Sequence, residues 1–224
     1  MFGVLGDIHG HFDAARAVVA QHPDVPFWLC VGDIADDQGR YASTGAPVYW
    51  IHGNNDNFDA IASADLPADL HHIDNGTAVE IAGALHVAGL GGTFAPTWYE
   101  SPAADLPHPR KGSAKATELA DKRRHFVREE VDACKQLRRI DVFLSHEAAK
   151  PFRPFANNRG PDAGKAQINE VLAAMQPRLH LFGHHHRFSD QVREGVRSVG
   201  LDLVSRGYLL IERESLEIHT VTLT

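Results

Sequence analysis

The stretch that organises this sequence is residues 179–186, LHLFGHHH. Its first half is largely apolar and predicts a short strand, and its last three residues are consecutive histidines. Neutral imidazole is the commonest metal ligand among side chains. Residues two apart in an extended backbone point the same way, so His184 and His186 are predicted to face one site while His185 points elsewhere. Solvated histidines at a strand end are the alternative, and the rest of the chain decides between the two.

Polar groups follow four other apolar runs in the same way. The predicted strands end at Gly6-Asp7-Ile8-His9-Gly10, at Gly32-Asp33, at His52-Gly53-Asn54-Asn55-Asp56 and at Ser145-His146-Glu147. In open α/β sheets, binding sites gather outside the carboxyl ends of the strands. The pattern therefore predicts a metal site at that edge of a sheet.

Seven of these strand-end side chains are candidate metal ligands: Asp7, His9, Asp33, Asn54, His146, His184 and His186. They offer oxygen and nitrogen but no thiolate. Two divalent ions about 3.5–4 Å apart, with one bridging carboxylate, need roughly this set. A structural zinc site needs only four ligands and usually includes cysteine. Seven candidates at five strand ends therefore favour two ions over one.

Hydrophobic periodicity predicts further elements along the chain. A helix follows the first strand and ends before Pro23, and others are predicted over Ala116–Leu137 and Lys165–Met175. The long loop Gly89–Ser113 contains Trp98 and Tyr99, which either wall a substrate pocket or pack onto the core. The last predicted strands lie at 190–193, 196–199, 208–212 and 217–221.

Composition indicates one globular domain spanning residues 1–224. The chain is 43% hydrophobic and 23% charged, which is ordinary for a soluble protein. It has no apolar run of about 18 residues, as a membrane span needs, and no signal-peptide pattern at its N-terminus. Cys30 and Cys134 lie in apolar contexts, which predicts buried free thiols rather than a disulfide. We therefore expect a cytoplasmic enzyme.

The charge is unevenly distributed. The net charge of −7 argues against a protein coated in nucleic acid, yet residues 108–139 carry ten Lys/Arg against five Asp/Glu. This basic segment is either a solvated helix face or a border of the substrate site that favours polyanionic substrates. The side chains that the second interpretation proposes are Arg110, Lys111, Arg123, Arg124 and Arg128.

Five motifs together resemble the calcineurin-like metallophosphoesterase family. They are Asp7-x-His9, Gly32-Asp33, Gly53-Asn54-x-Asp56, His146 and Gly183-His184-x-His186, in the family's order. The resemblance covers residues 2–190 and implies an α/β fold, a four-layer sandwich of two mixed β-sheets flanked by helices.

The resemblance also implies how the ligands are shared and what they do. One ion would be held by Asp7, His9, Asp33 and His186, and the other by Asp33, Asn54, His146 and His184, so that Asp33 would bridge them. The two divalent ions would be manganese, iron or zinc. The implied activity is hydrolysis of a phosphate ester by in-line attack of a hydroxide that bridges the ions.

Asn55 departs from the family pattern, because many members have a histidine there that assists the leaving group or contacts the phosphate. An amide donates a hydrogen bond but cannot act as an acid. The rate enhancement of about 10²–10⁴-fold that acid catalysis contributes is therefore predicted to be absent or supplied by another residue. The nearby candidates are His11, His52 and His185, each of which has a non-catalytic polar contact as its alternative interpretation.

Asp56 is predicted to orient the Asn54–Asn55 loop. The departure at Asn55 favours substrates that have good leaving groups, or whose own groups assist.

Two further features bear on the substrate. The Ser/Thr phosphatase branch of the family has an arginine soon after the Gly-Asp motif, whereas here Asp36 and Asp37 precede Arg40. Residues 86–92 and 140–147 resemble the RNA lariat debranching branch, which cleaves phosphodiesters. That branch usually has cysteine at the place of Asp7 and does have the histidine that Asn55 replaces. The sequence thus predicts a phosphodiesterase whose substrate is a phosphate ester, with a nucleotide or nucleic acid among the candidates.

Two alternatives remain beside this prediction. A phosphomonoesterase acting on a small metabolite or a phosphoprotein is the alternative among enzymes. A non-catalytic scaffold, like the retromer subunit of this fold, is the alternative from another class. A site that has lost catalysis should have lost ligands, and here every expected position is filled.

Overall fold

The computed structural model describes residues 1–109, 120–154 and 160–223. In these ranges the helices are α1 (Phe12–Ala20), α2 (Phe58–Ala62), α3 (Arg128–Gln136) and α4 (Ala166–Met175), with 3-10 turns at Ala103–Asp105 and Lys122–Arg124. The strands are β1 (Phe2–Leu5), β2 (Trp28–Cys30), β3 (Val48–Trp50), β4 (Leu70–His72), β5 (Ala78–Ile81), β6 (Leu85–Leu90), β7 (Thr93–Phe94), β8 (His125–Phe126), β9 (Val142–Ser145), β10 (Leu179–Phe182), β11 (Ser189–Arg193), β12 (Val196–Gly200), β13 (Gly207–Ile211) and β14 (Ile218–Thr222). None of the helices in these ranges is long and apolar enough to cross a bilayer.

Two six-stranded sheets form the body of the protein. The first has the order β14-β13-β1-β2-β3-β4, in which β1 to β4 are parallel and β13 and β14 pair antiparallel. The second has the order β11-β12-β10-β9-β6-β5, in which the four central strands are parallel and both edge strands pair antiparallel. Strands β7 and β8 form a separate pair. Both large sheets are therefore mixed, as predicted.

Alternate residues of each strand face opposite sides of the sheet and build separate apolar layers. Val4 and Leu144 belong to the core between the sheets. Leu5 packs with α1 on the outer face of the first sheet, and Phe143 packs with α3 and α4 on the outer face of the second. These layers make the four-layer α/β sandwich that the family resemblance implied.

The strand ends that carry the predicted ligands lie at one edge of the sandwich. Leu5 is paired with Cys30, and Cys30 with Trp50, so β1, β2 and β3 end in step. In the second sheet, Phe182 at the end of β10 is paired with Ser145 at the end of β9. The loops that follow these five strands therefore start beside one another.

The helix predicted over Ala116–Leu137 begins much later than the sequence indicated. Residues 116–119 lie outside the described ranges, and the prediction is wrong for 120–127, where a 3-10 turn and β8 precede α3. Phe126 provides the physical reason, because its fully buried ring packs 6.0 Å from the ring of Phe94 while β8 pairs with β7. Tertiary packing thus overrides the local helical pattern here.

The two aromatic residues of the long loop have different surroundings. Tyr99 is 6% exposed and packs against Phe94, with the Arg128 guanidinium 4.8 Å from its ring centroid. Trp98 is half-buried, and the Lys122 ammonium lies 6.0 Å from its ring centroid. Of the two interpretations, packing onto the core is therefore the one that holds for Tyr99.

Candidate metal centre

Asp7, His9 and His186 form a first group of ligand-type side chains. Their candidate ligand atoms all lie within 4.8 Å of one another. His186 Nε2 is 3.1 Å from Asp7 Oδ2 and 3.1 Å from His9 Nε2. These separations suit three ligands that converge on one cation.

Asp33, His146 and His184 form a second group, whose candidate ligand atoms also all lie within 4.8 Å of one another. His146 Nε2 lies 3.5 Å from Asp33 Oδ2 and 3.2 Å from Asn54 Oδ1, and the rings of His146 and His184 are 4.9 Å apart. Asn54 therefore joins this group as a fourth oxygen or nitrogen donor.

The two groups meet at Asp33. The same oxygen, Oδ2, lies 3.5 Å from His146 Nε2 and 3.6 Å from His9 Nε2. One carboxylate thus faces ligand atoms of both groups, which is the arrangement that a carboxylate bridging two ions requires.

Four of the seven ligand candidates have left-handed backbone conformations. The φ angles are 46° at His9, 51° at Asp33, 66° at His184 and 46° at His186. Such angles are uncommon outside glycine and cluster at functional sites. The alternation of an extended strand is therefore not what aims these side chains. His184 and His186 belong to different groups, and these groups meet at Asp33. His185 does point elsewhere, as predicted.

Glycines at the strand ends leave room for the ligands. A Cβ atom on Gly53 would lie 2.0 Å from Asp33 Oδ1, and one on Gly183 would lie 2.3 Å from Asp7 Oδ1. Both distances are far below a van der Waals contact. The glycines beside the ligands are thus a steric requirement of the site.

Asp56 holds the loops that carry the ligands. Its buried carboxylate accepts hydrogen bonds from the backbone N–H groups of Asp33 at 2.9 Å and Gly53 at 2.7 Å. It also accepts from Ile34 N–H and from the Tyr41 hydroxyl. The geometry agrees with the predicted orienting role and keeps Asp56 away from direct ligation.

His146 is fixed in one tautomer by its backbone partner. Its Nδ1–H donates to the Val31 carbonyl at 2.9 Å, which leaves Nε2 directed at Asp33 and Asn54. Burial lowers the pKa of His146, but the carboxylates of Asp33 and Asp7 outweigh burial and raise that pKa to about 10. This buried cluster therefore favours positive charge, whether a proton or a cation supplies it.

Asp7 provides a separate test of whether the site suits a cation. The residue is 1% exposed, yet its Oδ1 atom has no hydrogen-bond partner within the described part of the chain. A buried carboxylate oxygen without a partner is costly unless a cation satisfies it. Imidazole, carboxylate and amide donors fit divalent transition ions such as manganese, iron and zinc.

The three histidines considered as replacement acids have different surroundings, and the His185 ring centroid lies 5.0 Å from that of the candidate ligand His184. His11 is exposed at the start of α1. His52 is buried with Nδ1 3.3 Å from His72 Nε2, and burial lowers its pKa to about 3. His185 Nε2 lies 4.0 Å from Glu147 Oε2. Over residues 1–109, 120–154 and 160–223, no side chain of these three hydrogen-bonds a candidate ligand.

Arg124 is the member of the basic segment that reaches the site. It donates to the Asn54 carbonyl from Nε at 3.1 Å and from Nη2 at 2.6 Å. Arg123 and Arg128 instead form ion pairs, with Asp121 and Glu100 respectively. Arg110 and Lys111 lie outside the described residues.

Arg40 is also occupied by a carboxylate. Its Nε donates to Asp36 Oδ2 at 2.8 Å, within the same loop.

Glu147 follows His146 in the strand-end motif and has no role that its sequence predicts. It is 2% exposed and accepts the Phe94 N–H at 3.1 Å, while its other oxygen lies 3.5 Å from Lys165 Nζ. An acidic residue in the polar stretch that follows a buried strand was the only sequence signal for it. Through these two contacts its side chain links Phe94 of β7 to Lys165.

Comparison with known proteins adds three findings. A family model described as calcineurin-like phosphoesterase matches residues 1–188. No curated protein sequence matches the chain. Solved structures, however, resemble it over nearly its full length.

Two of these structures illustrate the likeness in fold. A Thermus thermophilus protein is 15% identical with a TM-score of 0.67, over 99% of this chain and 97% of that one. A dimetal phosphatase from Danio rerio is 16% identical with a TM-score of 0.57, over 100% and 98% of the two chains.

Proposed function

The chain belongs to the calcineurin-like phosphoesterase family and is a metal-dependent phosphoric ester hydrolase, and we propose that it is a phosphodiesterase that acts with two divalent ions. The observation that carries the two-ion part of this proposal is the meeting of two three-residue ligand groups at Asp33. When bound, the ions acidify the attacking water and neutralise charge on the phosphoryl group.

The chain's own residues orient the centre. His9, Asp7 and His186 would hold one ion, and Asn54, His146 and His184 the other, with Asp33 between them. Asp56 holds the Asp33 and Gly53 backbones by accepting their N–H groups. The Val31 carbonyl holds the His146 ring so that Nε2 faces Asp33 and Asn54. The site is thereby organised before substrate arrives, so little reorganisation is needed during reaction.

Asn55 supports a requirement on the leaving group. Its side-chain amide is hydrogen-bonded to Asp33 and carries no acidic proton, so the departing oxygen would have to be a good leaving group or receive help from the substrate. The preference for a diester rests on the resemblance of residues 86–92 and 140–147 to a diester-cleaving branch. A nucleotide or nucleic acid is the candidate natural substrate.

A phosphomonoesterase is the second candidate, and Arg124 favours it. A monoester dianion has one more charged oxygen than a diester, and a guanidinium beside the second ligand group would offset that charge.

Hydrolysis of bis-p-nitrophenyl phosphate and of p-nitrophenyl phosphate separates the two candidates. Metal-stripped protein is assayed alone and with manganese, iron or zinc, beside His146→Ala and the control His219→Ala. His219 is an exposed residue of β14 and serves as a matched imidazole deletion.

We expect metal-dependent diester activity that His146→Ala abolishes and His219→Ala leaves unchanged. Higher kcat/KM on the monoester would replace the proposal by the second candidate. No turnover of either ester with two ions bound would contradict both.

A further inference from the structure

Arg124 is held rigidly next to the second ligand group. Its carbonyl accepts from the Thr93 hydroxyl at 3.4 Å, and β8 begins directly after it. Its side chain makes a forked contact with the Asn54 carbonyl and approaches Asn55 Oδ1 at 3.5 Å. The guanidinium is therefore fixed in place by groups that belong to the predicted metal loop.

The donors of Arg124 are only partly used. A guanidinium has five N–H groups, and the three contacts above involve Nε and Nη2. The two donors on Nη1 have no partner within residues 1–109, 120–154 and 160–223. No carboxylate in these ranges forms an ion pair with Arg124 either, which distinguishes it from Arg123 and Arg128.

The cleft in front of Arg124 is polar and continuous with the metal loop. It has a volume of about 410 Å³, and its walls include Asn54, Asn55 and Arg124. Asp59 and Asp121 also line it, and both form ion pairs with Arg123. A cation with free donors in such a cleft is suited to bind phosphate oxygens, since the guanidinium fork matches their geometry.

We propose that Arg124 is a substrate-binding residue whose Nη1 donors bind a phosphoryl oxygen of the ester held at the metal centre. This inference rests on the part of the proposed function that both candidates share, because it assumes that a phosphate ester occupies that centre. The arginine has two tasks in this arrangement: Nε and Nη2 fix the Asn54–Asn55 loop, and Nη1 binds the anion. Among the basic side chains that the structure describes in residues 108–139, Arg124 is thus the one that contacts the substrate.

The test is binding of inorganic phosphate, measured by titration calorimetry on protein loaded with manganese. The variants are Arg124→Met and Arg124→Gln, with Arg128→Met as the control that removes an equal charge from the same segment. Metal content is measured on every sample. Arg124→Gln retains amide donors for the Asn54 carbonyl and serves where the methionine variant does not fold.

We expect both Arg124 variants to raise the phosphate Kd by about 10- to 100-fold with two ions still bound, and Arg128→Met to change it less than about 2-fold. An unchanged Kd, a loss of one ion that accounts for the weaker binding, or no phosphate binding by the unaltered protein would overturn the inference. Because the measurement needs no turnover, phosphate binding through Arg124 in a protein that hydrolyses no ester would refute the proposed function alone.

Discussion

Asn55 donates two hydrogen bonds to Asp33, one from its backbone N–H to Oδ1 and one from its side-chain amide to Oδ2, both at 2.8 Å. The residue that follows the predicted asparagine ligand therefore orients the carboxylate shared by the two ligand groups. A side chain committed in this way gives support to the metal centre, whereas an unattached histidine would be free to serve as an acid.

Asn55→His tests whether the chain lacks an acid at this position. We expect kcat/KM for diphenyl phosphate to rise by about 10-fold or more relative to that for bis-p-nitrophenyl phosphate, because only the poorer leaving group needs a proton. Steady-state kinetics with both esters measures the ratio, and Asn55→Ala is the control. A ratio that is the same in all three proteins would contradict the interpretation.

The sharing of ligands predicts distinct metal stoichiometries. His9→Ala and His184→Ala should each lose one of two ions, because they belong to different groups, whereas Asp33→Ala should lose both. Metal analysis after gel filtration counts the ions per chain. Retention of two ions by Asp33→Ala would show that it does not bridge, and His219→Ala should retain both.

The strand ends and the ligand candidates could be predicted from the residues alone, for a physical reason, whereas the two mixed sheets were implied by the family resemblance. Buried parallel strands are continuous apolar runs, and polar ligand-type residues directly after them have little other explanation. Asp33 and His146 stand out in this way from a single sequence. Their spacing in the chain is irrelevant to the prediction, since the sheet brings the strand ends together.

The parts that sequence did not predict depend on contacts between distant segments. The left-handed conformations of His9 and His184 have no local signal, because neither residue is a glycine or asparagine. Sequence named Arg124 only as one of five basic candidates. Its placement beside Asn54 depends on β8, which pairs with β7 and buries Phe126. The helical periodicity over residues 116–137 therefore gave a wrong prediction for residues 120–127.

Gly53→Ala is predicted to disrupt the metal centre through sterics alone. The added Cβ would lie 2.0 Å from Asp33 Oδ1, so the shared carboxylate must move. Gly45→Ala is the control for a substitution into open space. Its φ of 91° strains an alanine, so the variant should cost about 1–3 kcal/mol of unfolding free energy with metal binding intact. Metal titration of both variants decides, and unaltered metal affinity in Gly53→Ala would contradict the steric requirement.

His180 is predicted to make the stability of the metal-free protein depend on pH. Its ring is fully buried between Ser145 and Ser198, with both hydrogen bonds at 2.7 Å, and burial lowers its pKa to about 3. The unfolded chain has the ordinary pKa of about 6.5 and binds the proton first as pH falls. Stability from this residue is therefore complete above pH 6.5 and falls by about 1.4 kcal/mol per pH unit below it, until the pH nears 3.

Urea unfolding at pH 7 and pH 5, in the presence of a chelator, measures this dependence. His180→Gln keeps an amide donor and acceptor for the two serines but does not titrate. Its unfolding free energy should fall less between the two pH values than that of the unaltered protein, by about 1–2 kcal/mol. Equal pH dependence in the two proteins would exclude His180 as a source.

Lys165 and Glu147 are predicted to stabilise the fold as a coupled pair. Glu147 is buried, and Lys165 Nζ lies 3.5 Å from its Oε2. Lys165→Met leaves a buried carboxylate without its cation, which should cost about 1–3 kcal/mol of unfolding free energy. Adding Glu147→Gln removes that charge, so the double variant should be less destabilised than the sum of the two single variants.

Urea unfolding of the metal-free proteins closes this cycle. Lys150→Met is the control, because its exposed ammonium lies 4.0 Å from Asp162 and should contribute less than about 0.5 kcal/mol. Additive single effects would mean that Lys165 does not offset the Glu147 charge.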